Sequence, residues 1–84
     1  MHIERDYRSL PLWLAREYLI EIGGNATEDD CVRGADWSAY LHEGEFVAIG
    51  ALHVGIIHVE FVGDENAVNW VIVAFERKAL RAGG

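Results

Sequence analysis

The 84-residue sequence has one cysteine, one proline and no long apolar run, and each shortage excludes a class of protein. The lone Cys31 has no internal partner, so a disulfide framework is excluded, and a free thiol fits a reducing cytoplasm better than secretion. No segment reaches the roughly 20 apolar residues that a transmembrane helix needs, and the charged N-terminus lacks the apolar core of a signal peptide. We therefore expect a cytoplasmic protein that does not enter a membrane.

Positive charge is also scarce, because 14 acidic residues against seven Lys and Arg give a net charge of −7. Such a charge repels phosphate backbones and anionic membrane surfaces. The basic residues are spread along the chain, and Arg77, Lys78 and Arg81 fit the last turns of a helix, where they complement its dipole. The charge therefore argues against nucleic acid and against membranes as partners.

Apolar residues are abundant, with 51% of the chain hydrophobic and three tryptophans. A chain of this length buries about 60–65% of its unfolded surface in one core. We therefore expect a single domain over residues 1–84, which folds without a disulfide or a structural metal.

The pattern predicts a strand and a helix before the first pair of glycines. Residues 2–8 alternate as a half-buried strand does, and Pro11 fits the first turn of a helix that runs to about Ile22. Gly23 and Gly24 end this helix, one of them in the left-handed C′ position. Two residues of the helix, Trp13 and Ile20, lie on one line outside its core arc, which makes them an apolar pair on the polar side.

After a polar link, the pattern predicts a meander of short strands separated by glycine-containing turns. One turn is predicted at Glu43 and Gly44. In the last strand the apolar residues occupy even positions before Gly55 and odd positions after it, so a regular strand would divide them between its two faces. A one-residue bulge at Gly55 would bring them all to the core side. His53, His58 and Glu60 then share the opposite face. The link covers residues 25–30, and the strands cover residues 31–33, 36–42, 45–49 and 52–62.

The C-terminal segment predicts a second helix with Asp64 as its N-cap. Residues that recur at helical spacing give it an inner face, whereas Trp70, Val73 and Leu80 lie elsewhere around it. A strand over residues 69–75 is the alternative by propensity, and the capping signals favour the helix. The fold class is therefore α+β in the order β-α-β(4)-α: a bent antiparallel sheet of about five strands with two helices on one face.

This order is that of the TATA-binding-protein-like fold, and three segments carry a more specific resemblance. LPLWLAREYL, VRGADWSAYL and FERKALRAGG resemble the C-terminal domain of MoaD-related proteins. In that family the module, whose function is uncharacterised, is attached to a sulfur-carrier domain of the kind that serves molybdopterin synthesis. The sequence begins directly at the first predicted strand, so the resemblance implies a link to molybdenum cofactor synthesis by association only.

Few residues are candidates for metal binding, cofactor binding or catalysis. His58 and Glu60 are candidate metal ligands, but same-face neighbours on a strand lie about 6.5–7 Å apart, and His53 is further away. We therefore expect solvated side chains there and no metal. The glycines lack the spacing of a phosphate-binding loop, so no cofactor is expected. No acid, base and nucleophile can be placed together around Cys31, so we expect a protein that is not an enzyme.

The terminal Gly83-Gly84 is similar to the ending that sulfur carriers activate as an acyl adenylate. A helix stop followed by a short frayed end is the interpretation that we prefer, because glycine commonly follows a helix.

The apolar residues outside the core faces are the predicted partner-binding residues: Trp13 with Ile20, and Trp70 with Val73 and Leu80. Exposed apolar groups mark association surfaces, and tryptophan is frequent among binding hot spots. The alternative is that the two helices pack together and bury these residues. We expect a non-enzymatic accessory or interaction domain that binds a protein partner or self-associates. A module that binds a small apolar ligand in a cavity and a Gly-Gly sulfur carrier are the alternatives.

Overall fold

The computed structural model describes residues 1–83, and the side chains of residues 46, 47, 49, 52–54 and 81–83 lie outside the described part. Five strands and two helices make up the described chain, in the predicted order and of the predicted α+β class. They are β1 (His2–Arg8), α1 (Leu12–Glu21), β2 (Asn25–Glu28), β3 (Cys31–Gly34), β4 (Trp37–Ile49), β5 (Leu52–Gly63) and α2 (Glu65–Gly83).

The five strands form one antiparallel sheet in the order β1-β5-β4-β3-β2. Strand β1 pairs with β5 over its whole length, from His2 opposite Val62 to Arg8 opposite Ile56. Residues that face each other across two strands point to the same side of a sheet. This register therefore decides which side chains of the first and last strands meet.

Both helices cover one face of the sheet, and the hydrophobic core lies between them and that face. Phe75 of α2 is fully buried at its centre, with ring centroids 5.1 Å from Tyr7, 6.1 Å from Phe61 and 6.4 Å from Tyr18. The other face of the sheet, called the open face below, has no helix of the described chain against it. The buried core residues are Leu10, Ala15, Leu19, Val32, Trp37, Ala39, Leu41, Ile57, Val59, Phe61, Val68, Val71, Ile72 and Phe75.

One polar contact joins β1 to α2 at the edge of this core. The Tyr7 hydroxyl donates a hydrogen bond of 2.9 Å to Oε2 of Glu76. Burial of the phenol raises the pKa of Tyr7 far above its usual value, and the hydrogen bond to Glu76 and the charge of Glu76 raise it further.

Two of the helix ends that the sequence marks have the predicted caps. At the end of α1, Gly23 has φ +112°, and the N–H of Gly24 donates to the carbonyl of Leu19 at 3.0 Å, as in a Schellman motif. At the start of α2, Oδ2 of Asp64 accepts a hydrogen bond of 3.2 Å from the N–H of Ala67.

The buried Trp37 is positioned by a glycine on the neighbouring strand. Gly34 of β3 pairs with Trp37 of β4, and a Cβ atom at position 34 would overlap the indole ring. The missing side chain therefore lets the indole lie across β3, where only 5% of Trp37 is exposed.

The predicted polar link proves to contain strand β2. Asn25 pairs with Arg33 and Ala26 with Val32, and the register shifts before Glu28 pairs with Cys31. All four residues of β2 are exposed, so the segment lacks the alternation by which a half-buried strand is recognised.

The predicted turn at Glu43 and Gly44, and the predicted bulge at Gly55, are both wrong. Strand β4 continues through positions 43 and 44, so the two strands predicted there are one. The register shifts between Glu43, which pairs with Ile57, and Phe46, which pairs with Gly55. The extra residue therefore lies in β4, and not in β5. The glycine signal of position 44 marks a bulge within a strand instead of a turn.

Candidate functional site

Helix α2 carries an apolar stripe on the side away from the core. Trp70 is 55% exposed, Val73 53% and Leu80 75%. At 3.6 residues per turn these three residues and the exposed Arg77 fall within an arc of about 80°, nearly opposite the buried residues of the helix. We call Trp70, Val73, Arg77 and Leu80 the outer stripe. The alternative that helix packing buries these tryptophan, valine and leucine side chains is therefore wrong.

The predicted pair on α1 is not equally exposed. Trp13 is 65% exposed, but Ile20 is half-buried and packs against the core. Helix α1 contacts α2 as well as the sheet. These two contacts together bury a wider part of its surface than contact with the sheet alone would bury. Trp13 therefore stands as a single exposed apolar side chain, and Ile20 belongs to the packed side of α1.

The outer stripe does not make α2 a membrane span. None of the helices in the described part of the chain is both long and apolar enough to cross a bilayer.

The open face brings together two histidines and three carboxylates from β1 and β5. The Nδ1 of His58 lies 2.6 Å from Oδ1 of Asp6, and its Nε2 lies 3.2 Å from Oε1 of Glu4 and 4.0 Å from Oε1 of Glu60. The Nε2 of His2 lies 3.6 Å from Oε2 of Glu60. We call His2, Glu4, Asp6, His58 and Glu60 the histidine–carboxylate cluster.

The carboxylates of this cluster favour a positive charge on His58. The hydrogen bond to Asp6 and then the hydrogen bond to Glu4 raise the pKa of His58 above its usual value, against a smaller opposing effect of desolvation. When the imidazole is protonated, both ring nitrogens donate hydrogen bonds, Nδ1 to Asp6 and Nε2 to Glu4.

Only part of this cluster could be expected from the sequence. The polar side of β1 contains His2, Glu4 and Asp6, but alternation within β1 does not reveal that β5 lies beside it. The predicted candidates His58 and Glu60 are brought within 4.0 Å of each other, measured from Nε2 to Oε1. The side chain of His53 lies outside the described residues.

An open cleft lies where the connection from β1 to α1 passes over the β4–β5 hairpin. Its volume is about 280 Å³, close to the lower limit of about 300 Å³ for small-molecule sites. The cleft opens to solvent beside the core. It is lined by Ser9, Leu10, Pro11, Leu12, Glu43, Gly44, Gly55, Ile56 and Ile57.

The remaining candidates are the thiol and the C-terminal glycines. Cys31 is a free cysteine and is buried at the start of β3, in the position of a structural thiol. Helix α2 continues to Gly83, and Gly84 lies outside the described residues.

The sequence was compared with the models of known protein families. A family model described as archaeal MoaD-like protein matches residues 3–84, which is nearly the whole chain. No curated protein matches the sequence.

Proposed function

The chain belongs to the family of archaeal MoaD-like proteins, and we propose that it is a non-enzymatic interaction domain that associates with a second copy of itself through α2. The observation that carries this proposal is the exposure of Trp70, Val73 and Leu80 along one side of that helix. Apolar side chains grouped on one surface lower their free energy when a partner covers them, and tryptophan contributes more than most.

The spacing of the outer stripe favours a second copy as the partner. Its members are separated by three, four and three residues, so the order of spacings is the same from either end. If two α2 helices pack antiparallel across a twofold axis, Trp70 meets the partner's Leu80 and Val73 meets the partner's Arg77. A self-complementary surface of this kind is what a twofold interface requires.

The charges on this face are compatible with self-association despite the net charge of −7. The acidic residues described on α2 are Glu65, in its first turn, and Glu76, which hydrogen-bonds to Tyr7. Neither belongs to the outer stripe. In the antiparallel arrangement, Arg77 lies about one turn from the partner's Trp70, within reach of a cation–π contact.

The size of the stripe sets the expected strength. A standard stable interface buries about 800 Å² on each partner, which is more than three partly exposed side chains supply. We therefore expect a weak dimer that forms with increasing protein concentration. The link to a sulfur-carrier system is supported by the family description, and in this proposal the dimer is an accessory part of that system.

Sedimentation equilibrium over a range of concentrations tests the interface. The wild-type chain should show a concentration-dependent average mass between monomer and dimer, and Trp70→Ala should shift it toward the monomer. Trp13→Ala removes an equally large exposed side chain from the other helix and is the matched control. A monomer at all concentrations, or a loss of association in Trp13→Ala alone, would contradict the proposal.

A small apolar ligand in the open cleft is the second candidate function. The observation that favours it is the cleft volume of about 280 Å³, with Leu10, Pro11 and Ile57 among its lining residues. Titration with small apolar compounds, followed by NMR, should shift the amide signals of Gly44 and Gly55. Shifts spread over the sheet, or none at all, would count against this function.

A further inference from the structure

We propose that the histidine–carboxylate cluster binds a divalent transition-metal ion, with Zn²⁺ as the best fit, through His2, Glu4, His58 and Glu60. The donor atoms of His2, Glu4 and Glu60 all lie within 4.8 Å of one another. The Nε2 of His58 lies within 4.0 Å of an oxygen of each glutamate. Two imidazoles and two carboxylates are thus grouped on one pair of strands.

Two of the distances between these donors are close to those of a tetrahedral site, whereas the distance from Nε2 of His58 to Oε1 of Glu60 is longer, at 4.0 Å. With metal–ligand distances of about 2.0–2.2 Å, neighbouring donors of a tetrahedron lie about 3.3–3.6 Å apart. The contact between His2 and Glu60 is 3.6 Å, and the contact between His58 and Glu4 is 3.2 Å. The side chains of His2 and Glu4 are each 54% exposed, so small changes of rotamer can complete the shell.

Asp6 is a positioning residue in this site. Its Oδ1 lies 2.6 Å from Nδ1 of His58, and the Nε2 of the same ring faces the two glutamates. A histidine that binds a metal usually donates its other N–H to a carboxylate, which fixes the tautomer and orients the ring. The contact of Asp6 with His58 has this arrangement.

The donor set selects the kind of ion. Mg²⁺ and Ca²⁺ prefer shells made of oxygen, whereas imidazole together with carboxylate suits Zn²⁺ and related transition ions. Three carboxylates also surround this point, so a divalent ion is electrostatically favoured.

The site lies on the open face, across the sheet from α2, and the inference does not depend on self-association. Along β5 alone, the spacing of His58 and Glu60 is unfavourable for a shared metal ion. Pairing with β1 adds His2 and Glu4 from the neighbouring strand, which doubles the number of ligands.

Isothermal titration of the untagged chain with Zn²⁺ near neutral pH tests the proposal. We expect one ion per chain. Asp6→Asn should weaken binding by about 10–100-fold, and Glu60→Gln, which removes a direct ligand, by at least as much. Glu17→Gln removes an equal charge from an exposed position on α1 and should leave the affinity unchanged. No binding, or an equal loss in Glu17→Gln, would overturn the proposal.

Two further measurements test the ligand set and the role of Asp6. In the wild-type chain, one equivalent of Zn²⁺ should shift the imidazole nitrogen signals of His2 and His58. His42 pairs with His58 across β4 and β5, with ring centroids 6.4 Å apart, and its own signals should stay in place. Unshifted signals of His2 and His58 would overturn the ligand set, as would a shift of His42 alone. With Co²⁺ in place of Zn²⁺, Asp6→Asn should alter the visible spectrum and leave the circular dichroism unchanged.

Discussion

The three tryptophans should respond very differently to truncation, because the structure places one in the core and two at the surface. Trp37 is 5% exposed, whereas Trp13 is 65% and Trp70 55% exposed. Replacing a buried Trp with Ala typically costs about 3–5 kcal/mol, from lost burial and from the cavity that remains. A chain of 84 residues has a total stability of about 4–13 kcal/mol. Trp37→Ala should therefore remove a large share of the free energy of unfolding.

Urea denaturation followed by circular dichroism measures this difference. It should be run at low protein concentration, because association would add to the apparent stability. Trp13→Ala and Trp70→Ala should each change the free energy of unfolding by less than about 1 kcal/mol, as exposed positions usually do. Equal losses in Trp37→Ala and Trp70→Ala would refute the assignment of one tryptophan to the core and the other to a free surface.

Two further predictions concern polar contacts. Tyr7→Phe leaves the half-buried carboxylate of Glu76 without its hydrogen bond and should lower the free energy of unfolding, measured by urea denaturation, by about 1–2 kcal/mol. Tyr18→Phe should lower it less, because no hydrogen bond of the Tyr18 hydroxyl is found among the described residues. Equal losses in the two variants would contradict the role of the bond. An NMR titration should give His58 a pKa above the 6.5 of a free histidine, and Asp6→Asn should lower it. Because the folded state raises this pKa, the stabilising contribution of His58 is complete below about pH 6.5 and is lost as the pH rises through the folded value. An unshifted pKa in Asp6→Asn would contradict the contact.

The parts of the fold that could be predicted are those whose signals are local. Gly23 and Asp64 mark helix ends through capping chemistry that depends on a few neighbouring residues. Strand β2 exists because β3 offers it a partner, and its own residues carry no apolar pattern. The bulge in β4 depends on the register with β5, so the parity of β5 alone placed the irregularity on the wrong strand.

The candidate sites likewise divide into those with a local signal in the sequence and those that depend on contacts between distant segments. Helical periodicity separates Trp70, Val73 and Leu80 from the core side of α2, and the structure leaves these side chains exposed. Periodicity did not predict the partial burial of Ile20, because the apolar pattern of α1 does not show that a second helix packs against it. The histidine–carboxylate cluster requires the pairing of β1 with β5, which links the two ends of the sequence.

That pairing also has a consequence for the order of folding. His2 pairs with Val62 and Arg8 with Ile56, so each residue of β1 finds its partner about fifty to sixty positions later in the chain. During synthesis the first strand emerges long before the strand that it pairs with, and closure of so long a loop is entropically costly. We therefore expect β1 to join last, after β5 has paired with β4. Until then the flank of β5 is an open edge, which makes the incomplete chain most prone to aggregation just before it finishes folding.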